Sequence, residues 1–268
     1  MDKLYVIKIG GNIIDDDTKL ISFLKEFALI NEKKILVHGG GKVATRIGNK
    51  MGIESKYIDG RRITDAATLD LITMVYAGLI NKKIVVQLQA QHCNALGISG
   101  ADGNLIPANK RPVKDIDYGF VGDIDTEKII GLYWNELLQA GFTPVVSPIT
   151  HDGRGQLLNT NADSIAREVA NVLCRFYEVI LIYSFEKKGV LLDVNEEDSV
   201  IPAITPSIYE KLKSPVAGGG GARIFAGMIP KLDNAFAALQ KGVSKVIIGK
   251  AEDLHKLING ISGTTIIN

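Results

Sequence analysis

The chain has 268 residues, 46% of them apolar, which is enough for one large core or two smaller ones. Its net charge is +1, so no basic excess points to nucleic acid or an anionic membrane surface, and any positive charge that matters is local. No apolar run approaches the roughly 20 residues of a membrane span. Cys93 and Cys174 have neither metal nor redox spacing, so a cytoplasmic protein with reduced thiols is expected.

Strand and helix signals alternate along the chain. Leu4 to Ile9 reads as a buried strand stopped by Gly10-Gly11, and about Thr18 to Leu29 as a helix. Lys34 to His38 is a second strand, and Lys42 to Met51 a helix. Tyr57 to Ile63 is hairpin-like, with Asp59-Gly60 as its turn signal. Asp65 can cap a long helical region running past Tyr76, followed by a second helix ending near Leu96-Gly97. The stretch from Ile98 to Ile124 looks like small antiparallel strands. Thr126 to Gln139 reads as helix and Thr143 to Val146 as strand.

Asn161 can cap a helix whose apolar positions Ala162, Ile165, Ala166, Val169, Ala170 and Leu173 fall on one face. Val179 to Tyr183 is a strand, Gly227 to Leu239 a helix with proline tolerated in its first turns, and Val243 to Ile248 and Thr264 to Ile267 late strands. Repeated βα alternation implies a mostly parallel sheet covered on both faces, with an internal boundary expected after Val146.

Lys8 is the sharpest single residue. A lysine one position from the end of an apolar strand is costly to bury without an anionic partner, although its long stem could also snorkel to solvent. Gly10-Gly11 beside it, and His38-Gly39-Gly40-Gly41-Lys42 after the second strand, each precede a helix-like stretch. Glycine lets backbone N–H groups approach an anion closely, and a helix start adds partial positive charge. Two such cradles suggest two anionic groups held side by side, which is what phosphoryl transfer between small molecules needs. Neither is a dinucleotide fingerprint or a Walker loop.

Arg61 and Arg62 follow the Asp-Gly turn, where an arginine suits bidentate capture of a carboxylate but is equally at home as an exposed edge charge. Asn161 and Asp163 open a helix as a cap and a first-turn acid, and Asp163 could also orient a lysine. Lys231 follows Gly227-Met228-Ile229-Pro230 at a helix start. A cation there opposes the helix dipole unless an anion is near, which makes it a phosphate-binding candidate.

Taken in order, Lys8-Ile9-Gly10-Gly11, Val37-His38-Gly39-Gly40-Gly41, Gly60-Arg61-Arg62-Ile63-Thr64, Gly119-Phe120-Val121-Gly122, Asn159-Thr160-Asn161-Ala162-Asp163 and Gly227-Met228-Ile229-Pro230-Lys231 resemble the amino acid kinase family, and within it the acetylglutamate kinases. Each motif is weak alone; the ordered set is specific and covers nearly the whole chain.

The resemblance implies a three-layer αβα sandwich around a central, mainly parallel open sheet of about eight strands. It implies a single domain of residues 1–268, with an N-terminal lobe of about 1–147 binding the acyl amino acid and a C-terminal lobe of about 148–268 binding ATP. The implied reaction is phosphorylation of the side-chain carboxylate of N-acetyl-L-glutamate by ATP, a step of arginine biosynthesis. By the same resemblance Lys8 contacts the transferring phosphoryl group, Lys231 the leaving phosphates, and Asp163 orients both lysines. Gly10 and Gly11 line the phosphate site. Gly40, Gly41, Arg62 and Asn159 hold the acyl amino acid. No metal ligands are expected from the protein, Mg2+ arriving with ATP.

The chain departs from the family in three places. Where the family commonly has a Thr-Asp or Ser-Asp pair, this chain has Tyr183-Ser184-Phe185-Glu186, with Glu186 the nearest acid. The glycine run 218–221 with Arg223 reads as a mobile loop beside the ATP site. The first strand starts at about Leu4, without the additional N-terminal helix of arginine-inhibited hexamers, which implies a homodimer not inhibited through that route. The rivals are another acceptor on the same fold, such as N-succinyl-L-glutamate, an aminoadipate-type acid, carbamate or uridylate, and a non-catalytic amino-acid-binding regulator. The two lysines and Asp163 argue against the regulator.

Overall fold

The computed structural model describes residues 1–58, 60–193, 195–213 and 228–268. The glycine run 218–221, Arg223 and Gly227 lie outside the described residues. In chain order the elements begin β1 (Lys3–Ile9), α1 (Gly11–Ile14), α2 (Asp17–Ala28), β2 (Lys33–His38) and α3 (Gly41–Lys50). The hairpin β3 (Tyr57–Ile58) and β4 (Arg61–Arg62) follows, then α4 (Ala66–Thr73), a π-helical segment (Met74–Ile80) and α5 (Asn81–Gln89). Next come β5 (Ala95–Ile98), β6 (Ala108–Lys110), β7 (Gly122–Ile124), α6 (Gly131–Gln139), β8 (Thr143–Val146), β9 (Ile149–His151), β10 (Leu157–Asn159), α7 (Ala162–Leu173) and β11 (Glu178–Phe185). The chain closes with β12 (Ala203–Ile204), α8 (Pro206–Lys213), α9 (Ile229–Gln240), β13 (Lys245–Lys250), α10 (Leu254–Ile258) and β14 (Thr264–Ile266).

Among the described residues, eight strands form one sheet in the order β12-β14-β13-β11-β1-β2-β8-β5. Pairing is parallel from β5 to β13, and β14 runs antiparallel to β13. Alternate residues of β1 feed two cores. Leu4 and Val6 pack with Ile165, Val169 and Leu173 of α7 and Leu232 of α9. Tyr5, Ile7 and Ile9 pack with Phe23 of α2, Val43 of α3, Leu69 of α4 and Ile84 of α5. This is the expected αβα sandwich, and period-two alternation along a doubly covered strand is what produces it. Strands from the first half of the chain form one side of the sheet and those from the second half the other, meeting at the β1–β11 pair. Such a reversal of strand order opens a crevice at the carboxyl ends of the strands, where α/β sheets bind ligands.

Caps fix the helix starts that matter. Asp16 accepts from the amides of Thr18 and Lys19, Asp65 from Thr68, and Asn161 from Asp163 and Ser164. The long helix over 66–89 buries Ile72, Tyr76, Ile80, Ile84 and Leu88, every fourth residue. In a regular α-helix each such step drifts about 40° around the axis. The wider π turns at Met74–Ile80 absorb the drift and keep these residues facing the sheet.

Two expectations are corrected. The helix expected to end near Leu96-Gly97 stops at Gln89, and Ala95–Ile98 is instead edge strand β5. Gly97 is not a helix stop. A Cβ there would lie 2.0 Å from Asn81 Oδ1, so glycine is needed where the strand presses on α5. The helix expected over Thr126 to Gln139 is a 3-10 turn at Thr126–Lys128 followed by α6 from Gly131, where a Cβ would sit 2.8 Å from the Val172 carbonyl oxygen. The β9–β10 hairpin, α8 and α10 were not anticipated.

Candidate active site

Lys8 continues the face of β1 that looks toward α7. Its Nζ lies 2.7 Å from Asp163 Oδ1 in the first turn of that helix. Lys231, in the first turn of α9, places its Nζ 3.2 Å from Asp163 Oδ2. One carboxylate thus holds two ammonium groups from opposite halves of the chain, and the trio keeps a net positive charge. Burial by itself pushes the Asp163 pKa up, but Lys8 and then Lys231 outweigh it and hold the pKa at about 2. The Asp163 backbone is fixed as well, its amide by the Asn161 cap and its carbonyl by the Tyr183 hydroxyl at 3.3 Å.

Gly10 caps α1 at the carboxyl end of β1, but its amide already donates to the Ser184 carbonyl at 3.1 Å. The amide that Gly10-Gly11 can offer an anion is therefore that of Gly11, at the first helical position. Gly40 caps α3 with φ +152, and a Cβ there would lie 2.3 Å from Ile80 Cδ1 and 3.0 Å from Tyr76 Cδ1. Only glycine lets this loop rest on the π segment.

A cavity of about 640 Å³ is lined by Gly41, Arg62, Tyr76, Asn159, Asp163 and Lys231 among others, whereas Lys8, Gly10, Gly11 and Gly40 are not in its wall. Arg62 is only 6% exposed. Its Nη2 donates to the Gly41 carbonyl at 2.8 Å and to Thr45 Oγ1 at 3.0 Å, its Nη1 to Ser55 Oγ, and it stacks over the Tyr57 ring at 4.8 Å. All these partners are neutral. A buried guanidinium without a carboxylate partner among the described residues is an anion site in waiting. Asn159 Nδ2 donates to Thr64 Oγ1 at 2.9 Å, and the Tyr118 to Val121 segment is threaded between Thr64 and Asn159 by backbone hydrogen bonds.

The structure therefore brings Lys8, Asp163 and Lys231 into contact and sets Gly41, Arg62 and Asn159 around the cavity beside them. Glu186 is turned elsewhere. It accepts from Asn12, which in turn accepts from Lys42, at a separate cavity of about 380 Å³. Sequence reasoning missed Thr45, Ser55 and Tyr57 as the supports of Arg62, and Tyr76 as a wall. No local signal in the sequence marks them. His38, expected only as part of a cradle, is fully buried between the Gly39 carbonyl and Asn81, and burial drops its pKa to about 4.

The model of the amino acid kinase family matches residues 3–250. The chain is 57% identical over 260 residues to the acetylglutamate kinase of Cytophaga hutchinsonii, covering 97% of this chain and 96% of that one. It is 52% identical over 265 residues to the acetylglutamate kinase of Phocaeicola vulgatus, covering 99% and 98%. Among solved structures, N-acetylglutamate synthase from Neisseria gonorrhoeae superposes with a TM-score of 0.79 at 21% identity; the match spans this whole chain and 59% of that longer one. Carbamate kinase from Giardia lamblia superposes with a TM-score of 0.67 at 14% identity, covering 100% and 98%. With its fold, its ordered motifs and these relatives in agreement, this chain belongs to the amino acid kinase family.

Proposed function

We propose that this protein transfers the terminal phosphoryl group of ATP to the side-chain carboxylate of N-acetyl-L-glutamate, giving N-acetyl-L-glutamyl 5-phosphate and ADP in arginine biosynthesis. The reading is carried by one arrangement, the Lys8–Asp163–Lys231 clamp, whose Asp163 and Lys231 line a cavity together with Arg62, which has no carboxylate partner among the described residues. The near-full-length acetylglutamate kinase relatives support the same acceptor.

The nucleophile needs no general base, because a carboxylate with a pKa near 4.3 is ionised at neutral pH. Asp163, holding two ammonium groups with a pKa of about 2, is unsuited to that role. The barrier is electrostatic, since an anion must approach an anionic phosphoryl group. Arg62 takes the α-carboxylate, and Gly40, Gly41 and Asn159 hold the rest of the acyl amino acid. The Gly10-Gly11 turn and Lys8 receive the phosphoryl group as its bond to the new carboxylate oxygen forms. Lys231 meets the charge that develops on ADP as the old P–O bond breaks and its electron pair leaves with ADP.

Among the described residues no group of three or more His, Cys, Asp or Glu side chains could hold a metal ion. In this reading Mg2+ enters on the ATP phosphates and neutralises part of their charge. Residues 1–147 serve the acyl amino acid and residues 148–268 the nucleotide. The protein acts in the cytoplasm as a homodimer. Met74, Leu79 and Val86 are more than half exposed along the long helix and supply an apolar stripe for a second copy. No helix of the described residues is long and apolar enough to cross a membrane.

One observation bears on a second acceptor. A further cavity of about 330 Å³ shares Arg111, Thr160, Asn161 and Ser164 with the substrate cavity and adds Arg167 and Lys241, against the acids Asp123 and Glu168. A longer acyl group ending in a carboxylate, as in N-succinyl-L-glutamate, would meet three cations there already paired with two acids, Arg111 with Asp123, and Arg167 and Lys241 with Glu168. A coupled ADP-release assay with acetyl-, succinyl- and unmodified glutamate decides. Turnover of the acetyl compound at least as fast as the succinyl one supports the first reading; much faster succinyl turnover supports the second. No turnover with either acylated glutamate refutes both. Lys8→Ala and Lys231→Ala should mainly lower kcat.

A further inference from the structure

We propose that Asn234 is a substrate-binding residue whose side-chain NH2 group is aimed into the cavity by Arg167. The proposal rests on the reading of Lys8, Asp163 and Lys231 as the phosphoryl clamp. Asn234 lies one turn after Lys231 on α9 and lines the cavity, while Arg167 lies one turn after Asp163 on α7. The two helices are therefore joined by two rungs, Asp163 with Lys231 and, one turn further in, Arg167 Nη1 donating to Asn234 Oδ1.

The second rung fixes which way the amide points. A guanidinium can only donate, so the Asn234 oxygen must face α7 and its NH2 group must turn away. That NH2 group has no acceptor among the described residues. Arg167 cannot swing to release it. Its Nε and Nη2 lie 2.8 and 2.7 Å from Glu168 Oε1. The Glu168 side chain is itself buried, and its Oε2 accepts from Thr126 Oγ1 at 3.0 Å and Asn171 Nδ2 at 3.1 Å. The chain Thr126–Glu168–Arg167–Asn234 thus presents a pre-aimed donor beside Lys231. An oriented N–H donor next to a lysine in this cavity suits an anionic oxygen, either of the phosphoryl group or of the acyl amino acid. Arg167 is then a positioning residue for Asn234.

Steady-state kinetics with ATP and N-acetyl-L-glutamate each varied, on the wild type, Asn234→Ala and Asn234→Asp, tests this. Aspartate keeps the partner of Arg167 but replaces the donor with a negative oxygen. A donor predicts that alanine raises one KM; a purely structural Asn234 predicts that alanine lowers the melting temperature and leaves both KM values near wild type. The expected result is a rise of about tenfold in one KM for Asn234→Ala, as for loss of one hydrogen bond to a charged group. For Asn234→Asp a larger fall in kcat/KM is expected, with a melting temperature no lower than that of Asn234→Ala. The substrate whose KM rises names the oxygen. Arg167→Ala should fall between wild type and Asn234→Ala. Both KM values near wild type for Asn234→Ala overturn the proposal, whatever its melting temperature. If the wild type shows no turnover, the activity reading fails, and calorimetric binding of ADP and N-acetyl-L-glutamate to the same three proteins still decides the role of the amide by whether alanine weakens one of the two.

Discussion

Replacing Asp163 by asparagine keeps the shape of the clamp and removes the charge that holds it. The folded protein holds the carboxyl at about 2 against an ordinary 3.8, because Lys8 and Lys231 outweigh the opposing effect of burial. That drop is worth about 2 kcal/mol at 1.36 kcal/mol per tenfold change in proton affinity. The side chain is 20% exposed, so solvent screening takes away little of this. A depressed carboxylate pKa contributes stability that is complete above pH 3.8 and is lost as the pH falls through about 2. The neutral amide of the Asp163→Asn variant behaves as a permanently protonated aspartic acid. Urea unfolding should therefore find the variant about 2 kcal/mol less stable at pH 7, with the gap narrowing to about 1.3 kcal/mol at pH 3. In the same variant kcat should fall by about a hundredfold or more, since one neutral amide oxygen is then left to hold two ammonium groups. Equal stability at pH 7, or a gap that stays constant down to pH 3, would refute the claim that the two lysines set this carboxylate.

Three further outcomes follow from the geometry. Arg62→Ala should raise the KM for the acyl amino acid by about ten- to a hundredfold with a smaller effect on kcat, and Arg62→Lys should restore little, because a single ammonium cannot span Gly41, Thr45 and Ser55; a main effect on kcat instead would move Arg62 off the substrate. Gly40→Ala pushes a methyl to within 2.3 Å of Ile80 Cδ1 and should cost about 1–3 kcal/mol, read as a lower melting temperature; an unchanged melting temperature would mean that the cradle does not rest on the π segment. Buried His38, with its pKa lowered to about 4, stays neutral in the fold while the unfolded chain takes up a proton below about 6.5. Wild-type stability should fall as the pH drops from 6.5 to 4, and His38→Gln should lose that part of the slope; parallel slopes in denaturant titrations would exclude His38 as its source.

What was legible in the sequence was what local pattern encodes. β1, β2 and β11 are built on short apolar runs, 4–7, 35–37 and 179–183, and α7 announces itself through the Asn161 cap and one continuous apolar face. The clamp was legible at each end but not in the middle. Lys8 stands out because a lysine does not belong in such a strand, yet nothing local says that its partner lies over 150 positions later. That pairing needs the β1–β11 seam and the packing of α7 on it, both products of long-range topology. Gly97 misled for a related reason. Glycine marks either a break or a close approach, and only the neighbour, Asn81, tells which. The supports of Arg62 stayed hidden because Thr45, Ser55 and Tyr57 are ordinary surface residues until the hairpin folds the guanidinium over α3.

The wide turns of the long helix have a consequence for how this chain can change its length. A π turn carries surplus residues compared with α, so shortening the helix there removes an irregularity instead of breaking a ladder. Gly78 is exposed and has open space around it. Its loss would let the helix close toward regular α geometry while Leu69 and Ile72 before it, and Ile84 and Leu88 after it, keep their seats. Tyr76 belongs both to this segment and to the wall of the cavity beside Arg62, so a change of length here is expected to reach that wall while the sheet-facing residues on either side hold the framework.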